Sequence, residues 1–142
     1  MSLKYRATAQ DLENEARVAA EIEEKWNCKL THLPHLFHVD WMAERNDKLV
    51  GFIEFKQRTY KASEKPYVHL NTAKKYRHLS MLSYTAPAFF VVRFADGVTK
   101  WVNVNDIDDS HRTVSGEYNR WGEGKHDLEE MIIIPLRDMN DL

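Results

Sequence analysis

Asp40, Glu54 and Lys56 are the residues whose types and spacing best suit chemistry in this chain. Arg45-Asn46-Asp47-Lys48 has turn composition, and the flanking segments, Leu36 to Glu44 and Leu49 to Gln57, are rich in aromatic and β-branched residues. They read as a β-hairpin. A turn centred near Asn46-Asp47 pairs residues whose numbers sum to about 93 or 94, and Asp40 and Glu54 sum to 94. Side chains alternate along a strand, so Glu54 and Lys56 share a face. Two carboxylates opposed across strands repel one another. Their neighbours, Phe37-His38-Val39 and Phe52-Ile53, read as sheet interior. An acidic pair there invites a cation, and an all-oxygen site suits Mg²⁺ or Mn²⁺. Such a patch fits phosphodiester hydrolysis, with a metal that acidifies water and offsets charge on the scissile phosphate. Lys56 could orient or deprotonate that water, or neutralise the phosphate. Burial would lower its pKa and the carboxylates would raise it, so the sign stays open. The plainer reading is a surface salt-bridge cluster, because Glu-x-Lys is a common tripeptide.

The elements that must position this patch are legible in outline. Thr8 and Asp11 resemble a capping box opening a helix to about Trp26, with Leu12, Ala16, Ala19, Ile22 and Trp26 as its apolar stripe. Glu15 lies on or beside that stripe, where a carboxylate is costly unless paired or reaching solvent. Cys28 to Leu33 reads as a strand ended by Pro34, and a second helix is expected from roughly Tyr67 to Tyr84. Pro87 to Ala95 is an apolar strand, Asp96-Gly97 a tight turn, and Val98 to Val104 the return. Asp106 to Asp127 reads as an irregular excursion, and Met131 to Ile134 as a last buried strand ended by Pro135. The order is α-β-β-β-α-β-β-loop-β, an α/β layered domain without internal repeats.

Length and composition bound the possibilities. The chain has 142 residues, ordinary for one domain and short for two. With 43% hydrophobic and 30% charged residues it is globular, which excludes disordered and collagen-like classes. Its single cysteine, Cys28, forms no internal disulfide and fits a reducing cytoplasm. No apolar run approaches a membrane span, and the first residues lack the apolar core of a signal peptide, so a cytoplasmic protein is expected. The net charge of −2 hides a segregation. Asp11 to Glu24 holds six acids and one base, Lys56 to His78 seven bases and one acid, and acids lead ten to four after Asn105. The basic block reads either as an anion-binding surface or as a solvated helix face with a charged loop.

Asp40, followed by Glu54-Phe55-Lys56 on the next strand, preceded by a helix bearing Glu15 and followed by a basic helix, resembles the PD-(D/E)XK nuclease superfamily. The resemblance covers about Leu12 to Val104, including the αβββαβ order of a restriction-endonuclease-like core with a central mixed sheet flanked by helices. It looks closest to small Holliday-junction-resolvase-like or phage-encoded endonucleases. In these, Glu-x-x-x-Val on the first helix precedes the Asp and the Glu-x-Lys; here Glu15 leads to Ala19, with Val18 one place early. The resemblance implies Asp40 and Glu54 as metal ligands, the Phe55 carbonyl as a further ligand, Lys56 as the catalytic lysine and Glu15 as an auxiliary acid. It implies Mg²⁺ or Mn²⁺ as cofactor and DNA as the partner, with a symmetric dimer expected of a branched-DNA resolvase. Val39 stands where the family has Pro, and residues 105–142 form an extension that does not match.

Under that resemblance Arg58, Lys61, Lys65, Lys74, Lys75 and Arg77 would track a nucleic-acid backbone. Lys74 or Lys75 could point into the cleft beside Lys56. Tyr60 and Tyr67 could stack on unpaired bases or be half-buried packing. Arg112, Arg120, Trp121, Lys125 and His126 could form a flap over substrate or an ordered loop. His32, His35 and His38 are spaced by three, but Pro34 breaks a helix and a strand would turn His35 away, against a zinc site. Asp106, Asp108, Ser110 and Glu117 mimic a calcium loop, but His111 occupies its glycine position. The expected function is a metal-dependent deoxyribonuclease. Its alternatives are a catalytically inactive nuclease-like module that binds nucleic acid, and a phage assembly protein.

Overall fold

The computed structural model describes residues 9–118 and 126–142. Helix α1 (Ala9–Trp26) is followed by β1 (Lys29–His32), a 3-10 turn (His35–Phe37), and the hairpin of β2 (Trp41–Arg45) and β3 (Lys48–Gln57). Then come β4 (Tyr67–Thr72), α2 (Ala73–Leu82), β5 (Ala88–Arg93) and β6 (Thr99–Asn103). The chain closes with β7 (Arg112–Tyr118), β8 (His126–Pro135) and β9 (Asn140–Asp141). Six strands form a mixed sheet in the order β1-β2-β3-β5-β6-β9, and three form a second sheet in the order β4-β8-β7. Among the described residues only the β3–β5 pairing is parallel. The chain between those strands passes through β4 and α2, as a parallel neighbour requires.

Two apolar layers cover the six-stranded sheet. On the α1 side, Val18 and Ile22 pack with Trp41, Ile53 and Val91. On the other side, Leu79 of α2 joins Phe52, Phe90 and Val92 with Val68, Leu70, Ile132 and Ile134 of the second sheet. Phe52 and Ile53 are therefore both buried, on opposite faces of a central strand. Phe55 continues the Ile53 face and stacks on Trp41 at 5.4 Å. Glu54 and Lys56 continue the Phe52 face, toward α2.

The hairpin turn is the two-residue pair Asn46-Asp47, with φ of 52° and 61°. Positive φ at both centres gives the primed turn that matches strand twist. Near the turn Arg45 pairs with Lys48 and Glu44 with Leu49; beyond a register shift Ala43 pairs with Gly51 and Trp41 with Ile53. Val50 is the extra residue of a β-bulge. At Gly51 a Cβ would lie 3.1 Å from the Pro87 carbonyl oxygen, so Gly51→Ala is expected to lower stability by about 1 kcal/mol in thermal denaturation.

Three expectations need correction. The segment Tyr67–Thr72 is a strand, and the second helix begins only at Ala73. Val68 and Leu70 are buried at period two, which wins over the helical spacing read through Val68, Tyr76 and Leu79. The expected excursion over Asp106–Asp127 contains β7 and the start of β8. In α1, Leu12 is exposed, and Val18 with Ile22 carries the core contact. Thr8 lies outside the described residues. Tail residues contribute to the core: Ile107, Ile132, Ile134 and Met139 are buried, and β9 pairs with β6.

Candidate active site

The bulge sets the register that opposes the two acids. Trp41 pairs with Ile53, so Asp40, one step beyond the end of β2, sits opposite Glu54. The Phe55 backbone N–H donates to Asp40 Oδ2 at 2.7 Å, which fixes that carboxylate against β3. The Phe55 carbonyl points the same way as its N–H, as in any extended residue, past the point where β2 begins. Upstream, His38 adopts a left-handed conformation at φ 56° and turns the chain into β2.

Glu54 is 4% exposed, one of two buried polar residues among those described. Its Oε2 lies 3.3 Å from Lys56 Nζ and 3.4 Å from Lys75 Nζ. Its Oε1 is buried without a hydrogen-bond partner. Burial pushes the Glu54 carboxyl above the ordinary glutamate range; Asp40 adds to that rise, and Lys56 and Lys75 oppose it. A buried oxygen with no partner is costly, and a cation would satisfy it. Asp40, Glu54 and the Phe55 carbonyl form an oxygen-only donor set, the chemistry that Mg²⁺ or Mn²⁺ prefers. Among the described residues no group of three or more His, Cys, Asp or Glu side chains could hold a metal ion, so the two carboxylates are the side-chain donors and the Phe55 carbonyl is a backbone oxygen on the same side.

Two cavities meet at Asp40. One, of about 450 Å³, is walled by Glu15, Asp40, Lys56, Gln57 and Arg58. The other, of about 230 Å³, is walled by His32, His38, Asp40, Glu54 and Lys75. Glu15 thus reaches the cleft from α1, and His32 Nε2 lies 3.3 Å from its Oε1. Lys75 reaches from the first turn of α2 and also bonds the His38 carbonyl.

The six basic residues expected to follow a nucleic acid are dispersed. Lys75 enters the acid site, and Lys74 is exposed beside it on α2. Arg58 donates to the Gln57, His69 and Leu70 carbonyls, which links β3 to β4. Arg77 lies 3.9 Å from Glu130 on β8. Lys61 and Lys65 are exposed on the loop before β4, with Lys65 Nζ 4.5 Å from the centre of the Tyr60 ring. Tyr60 is packed against Phe94 and the core, and Tyr67 is exposed beside His69. Of the residues proposed for a flap, Arg120, Trp121 and Lys125 lie outside the described residues, and Arg112 and His126 stand in β7 and β8. Asp108 accepts from Ser110 and His111 lies between Asp108 and Asp138, so this stretch is tied by a local turn and by a link to Asp138.

Sequence reasoning missed His32, His38 and His78 as cleft residues. The spacing of His32 and His38, with His35, speaks only to zinc, and His78 counts only within the basic block, whereas each of the three stands beside a carboxylate or lysine of the site from a different element.

An αβββ–α–β arrangement with opposed acids and a Glu-x-Lys strand defines a restriction-endonuclease-like nuclease fold. The chain belongs to the family described as "phage putative PDDEXK endonuclease", whose model matches residues 3–142. Among solved structures it is similar to Hjc from Archaeoglobus fulgidus, a Holliday junction resolvase from an archaeal hyperthermophile. The two share 12% identity with a TM-score of 0.61, over 94% of this chain and 93% of that one. No curated protein matches the sequence. No helix among the described residues is long and apolar enough to cross a membrane.

Proposed function

We propose that this chain is a metal-dependent endodeoxyribonuclease, and that residues 1–142 act as one nuclease domain in the cytoplasm. In this reading Asp40, Glu54 and the Phe55 carbonyl hold Mg²⁺ or Mn²⁺. Residues 8–104 form the catalytic core, with 105–142 completing its packing. The observation that carries the reading is the buried, partnerless Glu54 Oε1 opposite an Asp40 carboxylate fixed by the Phe55 N–H. The ion supplies charge neutralisation at the phosphate and acidifies water.

This chain's own residues do the rest. Lys56, held by Glu54 Oε2, faces the cleft with its ammonium group and orients water against phosphorus or stabilises the growing phosphate charge. Lys75 neutralises Glu54 from the other side and keeps it from swinging out of the cleft. Glu15, from the opposite wall of the cavity, positions water through its free carboxylate edge, and His32 steadies it. In hydrolysis the water oxygen forms a new bond to phosphorus and gives up a proton to solvent, while the P–O bond to one sugar breaks and the departing alkoxide takes a proton from solvent.

The test is cleavage of single-stranded, duplex and branched DNA with Mg²⁺, Mn²⁺ or EDTA. The wild type should cut at least one substrate only with the divalent ion. Lys56→Ala should cut at least about 100-fold more slowly while binding DNA equally well. A folded wild type that cuts none of the three, or a variant that cuts at the wild-type rate, would refute the assignment.

A further inference from the structure

Behind the acid pair lies a third cavity, of about 280 Å³, whose walls are His38, Lys74, Lys75 and His78. No acid lines it. His38 and Lys75 also line the cavity that holds Asp40 and Glu54, so the two spaces share a wall. We propose that this pocket is a subsite for a backbone phosphate of the nucleic acid, next to the phosphodiester at the acid pair. The inference rests on the reading of the chain as a DNA-handling protein.

Three features point to an anion there. Lys74 and Lys75 stand in the first turn of α2, which contains no acidic residue. Cations are disfavoured at that end of a helix, where the dipole is positive, and an anion would offset the exposed Lys74 and the helix end together. Next, the imidazoles of His38 and His78 meet edge to face, with centroids 5.9 Å apart. His78 Nε2 lies 3.0 Å from the Phe37 carbonyl oxygen, which makes that nitrogen the donor and fixes the ring at the pocket wall. Finally, Lys75 ties the subsite to the chemistry. It spans from Glu54 Oε2 to the His38 carbonyl, so a strand seated against it is held in register with the acid pair.

Backbone contacts of this kind position a strand without reading its sequence. Removing them weakens binding uniformly across sequences and flattens the salt dependence by about one unit of slope per lost contact.

The experiment is fluorescence-anisotropy titration of fluorescein-labelled 20-residue single strands and duplexes in EDTA, from low to moderate salt. Lys74→Ala/His78→Ala should bind about tenfold more weakly than wild type, with a log–log salt slope shallower by one to two. Lys61→Ala/Lys65→Ala, which removes two exposed charges away from the pocket, should lose about threefold or less. Lys74→Arg/His78→Arg should restore binding. Lys74→Glu alone, at an exposed position that cannot disturb the core, covers the case in which the double variant melts early. A wild type that binds but loses no more with the pocket variant than with the loop variant overturns the subsite and leaves the DNA reading standing. A wild type that binds no DNA even at low salt overturns both.

Discussion

Glu54→Gln should abolish cleavage by at least about 1000-fold and yield a protein that melts higher than the wild type in EDTA. The loss follows from removing one of two opposed carboxylates that a divalent ion needs. The gain follows from the cost of the native charge. Burial is the largest influence on Glu54, repulsion from Asp40 adds to it, and the two lysines only partly compensate, leaving its pKa raised. A carboxyl with a raised folded pKa penalises the native state once pH exceeds the unfolded value. The penalty grows as pH rises toward the folded value and is complete above it. The difference in melting temperature should therefore vanish below about pH 4 and reach about 3 °C near neutrality, for a difference of about 1 kcal/mol. Added Mg²⁺ should raise the wild-type melting temperature and leave Glu54→Gln unmoved. Calorimetry across pH, with and without the ion, checks all three. A variant that melts lower at pH 7 in EDTA would show that the lysine contacts outweigh the desolvated charge.

Arg58→Met should cost about 2–3 kcal/mol and lower the melting temperature by about 6–9 °C. The β4–β8 ladder is irregular between His69 and Thr72, and there the Arg58 guanidinium bonds the His69 and Leu70 carbonyls as well as that of Gln57. Burial depresses its pKa, a sign of a group kept from solvent. Methionine fills the space but leaves those carbonyls without donors. Lysine keeps the charge yet cannot serve them from one planar fork, so Arg58→Lys should recover less than half of the loss. Thermal unfolding followed by circular dichroism checks this. A shift under about 2 °C would mean that the guanidinium is dispensable for joining the sheets.

Much of the site was legible because it depends on local rules. Asn46-Asp47 announces a two-residue turn, and the alternation of Phe52, Glu54 and Lys56 fixes one face from the strand period alone. Asp40 opposite Glu54 followed from the same reasoning. What escaped depends on distant pairing. Tyr67–Thr72 joins a strand about sixty residues later, and nothing local to either segment advertises the partner. Short apolar runs such as Val68-His69-Leu70 serve helix or strand equally until that partner is known. The histidines of the cleft escaped for the same reason. His32 ends β1, His38 precedes β2 and His78 lies on α2, and only the packing of α2 over the sheet brings the last two together. Leu12 shows the converse: its spacing fits a core stripe, but α1 contacts the sheet through Val18 and Ile22.

The bulge at Val50 has a consequence for how such hairpins can vary. A two-residue turn with an unbroken ladder pairs only positions an odd number apart, as Arg45 with Lys48 and Glu44 with Leu49 do. Asp40 and Glu54 are an even number apart, so one unpaired residue between them is obligatory rather than ornamental. Length changes between the two acids are thus tolerated in steps of two. A single insertion or deletion survives only by creating or erasing a kink, because otherwise parity turns the glutamate toward α1 and the phenylalanine toward α2.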